Sequence, residues 1–203
     1  MSPSGRPTLT TPQAWAQAAL EEIETAGVRG LSVQSVARRL GVSKGGLYHH
    51  YSDRRSLLRA ALALWEQRHV TELRARFEAI VDPRERLHRL MIYAALEMQP
   101  TVIIALMAAT EDPDVAGALA RAADARLALL RHVFTELGAS RAVARDLAII
   151  AYSHYLGLAQ LRTHSPHLLE TPARIRAHVR ALETGLLAGV NREAVITTVP
   201  GSQ

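Results

Sequence analysis

The sequence predicts an all-α protein, an N-terminal three-helix helix-turn-helix domain followed by a C-terminal helical bundle, about nine helices in total. Three observations carry that expectation. Apolar residues recur at three- and four-residue spacing along most of the chain, the period of a helix buried on one face. Capping residues, prolines and glycines punctuate the pattern where helices must begin and end. No stretch alternates apolar and polar residues as a half-buried strand does, and no internal repeat or low-complexity tract interrupts it.

Taken in order, Thr11 with Pro12 signals a helix start, and Trp15, Ala19, Ile23 and Ala26 form its stripe before Gly27 ends it. Ser32 caps a second helix with Val33, Val36, Ala37 and Leu40 on one face, and Leu31 can pack on Val36 as a hydrophobic staple. Gly41 stands where a sharp turn needs a left-handed residue. Ser43 then caps a short third helix from Lys44 to about Tyr51, with Val42 and Leu47 as the apolar wedge. Ser52 caps a fourth helix, expected to run unbroken to about Ile80 with Leu58, Ala61, Leu62, Trp65, Leu73 and Phe77 inward. Asp82-Pro83-Arg84-Glu85 reads as a capping box ahead of Leu87, Leu90, Met91, Ala94 and Met98. Pro100 interrupts, and Val102–Ala109 reads as fully buried.

Asp112-Pro113 opens the next helix, which stops at Gly138. Ser140 caps one that runs to about Thr163, and a last helix from Pro172 reaches about Ala188 and stops at Gly189. The domain boundaries that follow are 9–57 for the helix-turn-helix domain and 58–189 for the second domain, with a loosely ordered tail over 190–203.

Composition narrows the function. With no Cys in 203 residues, disulfides and thiolate metal sites are excluded. The start, MSPSGRPTL, has no apolar core of a secretory signal, and the longest apolar run falls far short of a membrane span. A cytoplasmic protein without membrane association is expected. Of the net charge of +5, residues 1–60 carry +4, so the positive excess lies with the helix-turn-helix, as phosphate binding requires. The chain's only lysine, Lys44, opens the third helix. Enzyme chemistry is not expected: there is no glycine-rich phosphate loop after a strand, no nucleophile elbow and no His-Glu-x-x-His. Neither a cofactor nor a metal is expected. His164-x-x-His167 comes nearest to ligand spacing, but it straddles Ser165-Pro166 in a loop and has no carboxylate closer than Glu170.

The segment from Ser32 to Tyr51 meets the requirements of a DNA-binding helix-turn-helix: a small residue at Ala37, a glycine at Gly41 and a branched apolar residue at Leu47. A plain helical hairpin is the alternative. Against it, Gly45 and Gly46 cost roughly 0.8–1 kcal/mol each relative to alanine in a helix, which suggests that something approaches their backbone closely. Residues 31–62, LSVQSVARRLGVSKGGLYHHYSDRRSLLRAAL, resemble the TetR/AcrR family of transcriptional regulators through Gly41-Val42-Ser43, Leu47-Tyr48, His50, Tyr51 and Arg54. Tyr51 stands where phenylalanine is commoner, and Arg54 where lysine is. The resemblance implies a homodimer on a double-stranded DNA operator. It implies DNA contacts from Ser32, Gln34, Ser43, Lys44, Gly45, Gly46, Tyr48, His49 and Arg54, with Arg54 clamping a phosphate.

The C-terminal half allows two further expectations. The 141–163 helix is apolar on two faces, so it needs two partners, one of which can be a second copy of the chain. Ser153, Leu156, Gly157, Val179, Leu182 and Leu186 are the candidate dimer residues, and burial within a monomer is the alternative for them. The resemblance also implies a small-molecule pocket whose occupancy releases DNA. Met91, Met98, Leu106, Met107, Tyr152 and Tyr155 are its candidate lining, suited to a small, mainly apolar effector, with plain core packing as the alternative. An effector-free architectural DNA-binding dimer is the rival function, and it requires a dry, closed C-terminal core.

Overall fold

The computed structural model describes residues 11–98 and 100–197, the side chains of Leu47 and of residues 192–197 excepted. It is all-α: among the described residues no strand forms. The helices are α1 (Pro12–Gly30), α2 (Val33–Leu40), α3 (Arg54–Glu66), α4 (Leu73–Glu78), α5 (Pro83–Ile92), α6 (Pro100–Met107), α7 (Pro113–Glu136), α8 (Arg141–His164) and α9 (Pro172–Thr197). Among the described residues, no single helix is long and apolar enough to cross a membrane. The chain divides into two compact units. One comprises the residues up to His69 with Thr101–Ala120, the other Val70–Pro100 with the residues from Arg121 onward.

In the first unit, α1 begins where the Thr11 hydroxyl accepts from the Ala14 amide at 3.1 Å. Trp15, Ala19 and Ile23 are completely buried. Gly27, at φ 71° and ψ 172°, breaks the helical path, and a last turn follows to Gly30. The Ser32 hydroxyl caps α2 through the Ser35 amide at 3.0 Å, and Leu31 and Val36, the staple pair, are both buried. Gly41 closes α2 in the left-handed region at φ 68°. Among the described residues, no heavy atom beyond its chain neighbours lies within 4 Å of where its Cβ would be, so a substitution there strains the backbone. Gly41→Val is therefore expected to lose about 1–2 kcal/mol of stability, the left-handed penalty of an L-residue, while Gly41→Asn keeps most of it. Equal melting temperatures for the two variants would mean that α2 does not depend on this conformation.

The third helical segment is shorter and tighter than the sequence suggests. It is a 3-10 turn over Lys44–His49 rather than an α-helix reaching Tyr51. Two consecutive glycines in six residues disfavour the α form, and 3-10 geometry serves short pieces. The fourth helix also departs from expectation in two ways. Its cap is Asp53, not Ser52, in a reciprocal box with Ser56. It does not run as one α-helix to Ile80, because residues Gln67–Glu72 form a π-helical stretch before α4.

In the second unit Asp82 caps α5 through the Arg84 amide at 3.0 Å. Only half of the expected box forms, since the Glu85 carboxylate accepts instead from Arg89 at 2.7 Å. A π-helical turn over Tyr93–Glu97 follows α5, closed by the Met98 amide on the Tyr93 carbonyl at 3.0 Å. Arg162 of α8 donates to the carbonyls of Ala95 at 2.9 Å and Met98 at 3.3 Å, which secures the end of that turn. The core gathers Phe77, Leu87, Val133, Phe134, Ala148 and Val179 with their neighbours. Arg86 is buried beside it, 5% exposed. Its guanidinium donates to the Ile80 carbonyl at 2.8 and 2.6 Å, to the Val81 carbonyl at 3.4 Å and to Glu136. The last helix continues past the stop expected at Gly189 as far as Thr197, and residues 198–203 lie outside the described residues.

Candidate nucleic-acid interface and effector cavity

The candidate nucleic-acid face is built from α2 and the 3-10 turn. Gln34, Arg38, Ser43, Lys44, Gly45, Tyr48 and His49 are all exposed. Gln34, Ala37, Arg38, Val42 and Lys44 line one shallow cleft between the two elements. Tyr48 is 61% exposed, a large side chain with no structural reason to stand in water. Behind this face, the Tyr51 hydroxyl donates to the Pro12 carbonyl at 2.7 Å, tying the end of the motif to the start of α1, and burial pushes its phenol up from the ordinary tyrosine value.

Three of the residues singled out from the sequence are engaged elsewhere. The Ser32 hydroxyl is occupied in the cap of α2 and also donates to Ser35 Oγ at 2.8 Å. Gly46 faces inward: a Cβ there would meet the Trp15 ring at 3.4 Å. The close approach inferred from the glycine pair is, at Gly46, the approach of α1. Arg54 donates to the carbonyls of Leu31 at 2.7 Å and Val28 at 2.6 Å. That bracing joins the start of α3 to the end of α1 and satisfies carbonyls that the break at Gly27 leaves outside the helix.

Ion pairing decides which cations remain for a polyanion. Arg39 pairs with Glu22 at 3.2 Å and Glu21 at 3.6 Å. Arg29 pairs with Glu111 at 2.7 Å. Arg55 and Arg59 both reach Asp114, at 2.6 and 3.1 Å. Hydrogen bonding from Arg55, then from Arg59, holds the Asp114 carboxyl below the usual carboxylate range. Arg38 and Lys44, by contrast, form no ion pair among the described residues. Arg38 went unnoticed in the sequence, although it lies four residues after Gln34 and so on the same face of α2.

A second site lies within the C-terminal unit, a cavity of about 70 Å³. Met91, Met98, Tyr152 and Tyr155 line it, with Leu73, Leu90, Tyr93, Ala151 and Leu158. Leu106 and Met107 do not. They belong to α6, which follows the break at Pro100 and falls in the other unit, where the Thr101 hydroxyl donates to Glu24 at 2.5 Å. Two polar groups missed in the sequence also line the cavity: Arg126 of α7 and His154 of α8. Burial, with the His178 ring beside it, pushes the His154 imidazole below its ordinary value. Among the described residues no cluster of His, Asp and Glu could hold a metal ion.

The candidate dimer residues separate into two groups. Val179 and Leu186 are core residues, 1% and 2% exposed, and Val179 also lines the cavity. Leu182 packs against the same core. The reason is the phase of α9: Ile175, Val179, Leu186 and Val190 make its inward row. Ser153 and Gly157 are exposed and Leu156 is half-buried. Around them Ile150 and Leu161 on α8 are 50% and 40% exposed.

Residues 17–61 match the family described as bacterial regulatory proteins, tetR family. No curated protein matches the chain. Several solved structures share the fold. A transcriptional regulator from Rhodococcus sp. Rha1 superposes with a TM-score of 0.74 at 24% identity, covering 89% of this chain and 97% of that one. A transcriptional regulator from Saccharomonospora viridis in complex with choline gives 0.71 at 19% identity, over 84% and 93%. The regulator FadR from Bacillus subtilis in complex with stearoyl-CoA gives 0.67 at 13% identity, over 88% and 99%.

Proposed function

We propose that this chain, a member of the tetR family of bacterial regulatory proteins, is a ligand-responsive repressor that binds a palindromic operator as a homodimer. The observation that carries the reading is the exposed face of Gln34, Arg38, Lys44 and Tyr48, on which the cations Arg38 and Lys44 form no ion pair among the described residues. Lys44 can reach guanine O6 and N7 in the major groove, Gln34 can pair with adenine, and Tyr48 can donate to a phosphate. Arg54 acts indirectly by holding α3 against α1, and Arg38 supplies the further phosphate contact.

The test is direct. An operator is selected in vitro from random duplexes, and binding is measured across a range of salt concentrations. Lys44→Ala should weaken binding by about tenfold or more, since a good base contact is worth about 1–3 kcal/mol, and should flatten the salt slope by about one if the contact is to phosphate. Unchanged affinity together with an unchanged slope would remove Lys44 from the interface.

The C-terminal cavity supports an effector-responsive regulator over an architectural dimer, whose core would be closed. At about 70 Å³ it is far smaller than the roughly 300–1,000 Å³ of a typical ligand site. A ligand must therefore enlarge it, and Met91 and Met98, unbranched and adaptable, are the side chains that can move. Enlargement on binding is what couples occupancy to a change of state. The coupling is bounded by the ligand's preference for the expanded form, typically 1–3 kcal/mol.

A further inference from the structure

The cavity is hydrocarbon-lined except for a few polar groups, and these are not a random sample. Arg126 is 7% exposed and its guanidinium carbon lies 5.2 Å from the centre of the Tyr155 ring, which is itself 9% exposed. His154 Nε2 is buried and has no hydrogen-bond partner among the described residues, and the His154 ring lies tilted against that of His178 with centroids 4.9 Å apart. A guanidinium keeps its charge at any accessible pH, so a permanent cation lines a cavity otherwise walled by aliphatic side chains, methionines, three tyrosines and His154. An imidazole nitrogen left unsatisfied by the described residues beside the same space adds, in the tautomer protonated at Nε2, a donor that something entering the cavity can use.

We propose that this cavity takes an apolar molecule ending in a carboxylate or equivalent monoanion, with the anionic head on Arg126 and His154 and the hydrocarbon between Met91 and Met98. The assignment rests on the ligand-responsive reading above and specifies its effector class. A carboxylate fits the planar fork of Arg126 and accepts from His154 Nε2–H, giving charge-assisted bonds where water is scarce. A neutral head forgoes the charge assistance. A cationic head meets the guanidinium as a like charge, and the Tyr155 face that could hold it already carries Arg126.

The experiment compares three probes with one eight-carbon tail, octanoate, 1-octanol and octylammonium, titrated calorimetrically into the full-length protein. Octanoate should bind about tenfold or more tighter than octanol, the usual gain of a hydrogen bond to a charged group. Octylammonium should be weakest. In Arg126→Met octanoate should fall to the level of octanol while octanol binding holds. Octanol or octylammonium matching octanoate in the wild type would overturn the assignment, as would Arg126→Met keeping the octanoate preference. The wild-type ranking decides the question even if Arg126→Met does not fold. Binding of none of the three would overturn the effector-responsive reading along with it, an outcome distinct from a wrong head group.

Discussion

Gly157→Leu is expected to turn the proposed homodimer into monomers and to weaken binding to the proposed operator by about a hundredfold or more, the avidity that two linked heads provide. The expectation starts from empty space. Among the described residues, no heavy atom beyond Gly157's chain neighbours and its own helix backbone lies within 4 Å of where its Cβ would sit, and the residue is exposed. Nothing among the described residues explains a glycine there, in the middle of a helix where alanine would be about 1 kcal/mol better. Ile150 and Leu161 flank it, and on α9 the exposed residues include Ala177, Ala181, Gly185 and Ala188, all small. Helices that pack at about 8–10 Å need such residues at the crossing. In a two-fold interface one substitution introduces two leucines. The monomer, gaining helix propensity, should melt no lower than a monomeric reference. A Gly157→Leu protein that still sediments as a dimer would place the interface elsewhere.

Arg86→Met should cost the C-terminal unit about 3 kcal/mol, the lower end of what breaking a buried ion pair costs. The lower end applies because Glu136, 34% exposed, can turn to water once its partner is lost. The greater share comes from the Ile80 carbonyl, which accepts twice from Arg86, and from the Val81 carbonyl. Methionine fills the volume of the stem but leaves those acceptors unpaired, each costing about 1–3 kcal/mol if it stays buried. Urea unfolding gives the number, and a loss below about 1 kcal/mol would show that water replaces the guanidinium without penalty.

The features legible in the sequence were the local ones. Thr11, Ser32, Asp82 and Ser140 cap helices because a side-chain oxygen and an amide two or three residues on are all a cap needs. Gly27 and Gly41 end helical paths for equally local reasons. Interactions that depend on distant partners were hidden. Arg54 reads as a surface cation until the carbonyls of Val28 and Leu31 are seen beside it. Arg126 lies four residues after Ala122 and four before Leu130, on the inward row of α7, but its charge reads as that of a solvated residue and yet it is buried. Leu106 and Met107 satisfy the apolar pattern of a lining, but α6 belongs with the first unit. The same logic divides α9: its leucine and valine row is strongly apolar because it faces its own core, while its small residues, which carry no hydrophobic signal, face outward.

The Tyr93–Glu97 turn gives the cavity wall a property that a regular helix lacks. Its closing bond spans five residues, from the Met98 amide to the Tyr93 carbonyl, so the turn holds one residue more than an α-turn would. That residue is slack. Drawing it in would rotate the downstream backbone by about 100° and advance it by about 1.5 Å, the step of one residue along a helix. On the far side Arg162 grips the Ala95 and Met98 carbonyls from α8, and Arg76 holds the Glu97 carboxylate at 3.2 Å. A wall built this way would move as a ratchet with a discrete second notch, not as a spring. The displaced residues would be Met98 and those after it, where the chain leaves for Thr101–Ala120.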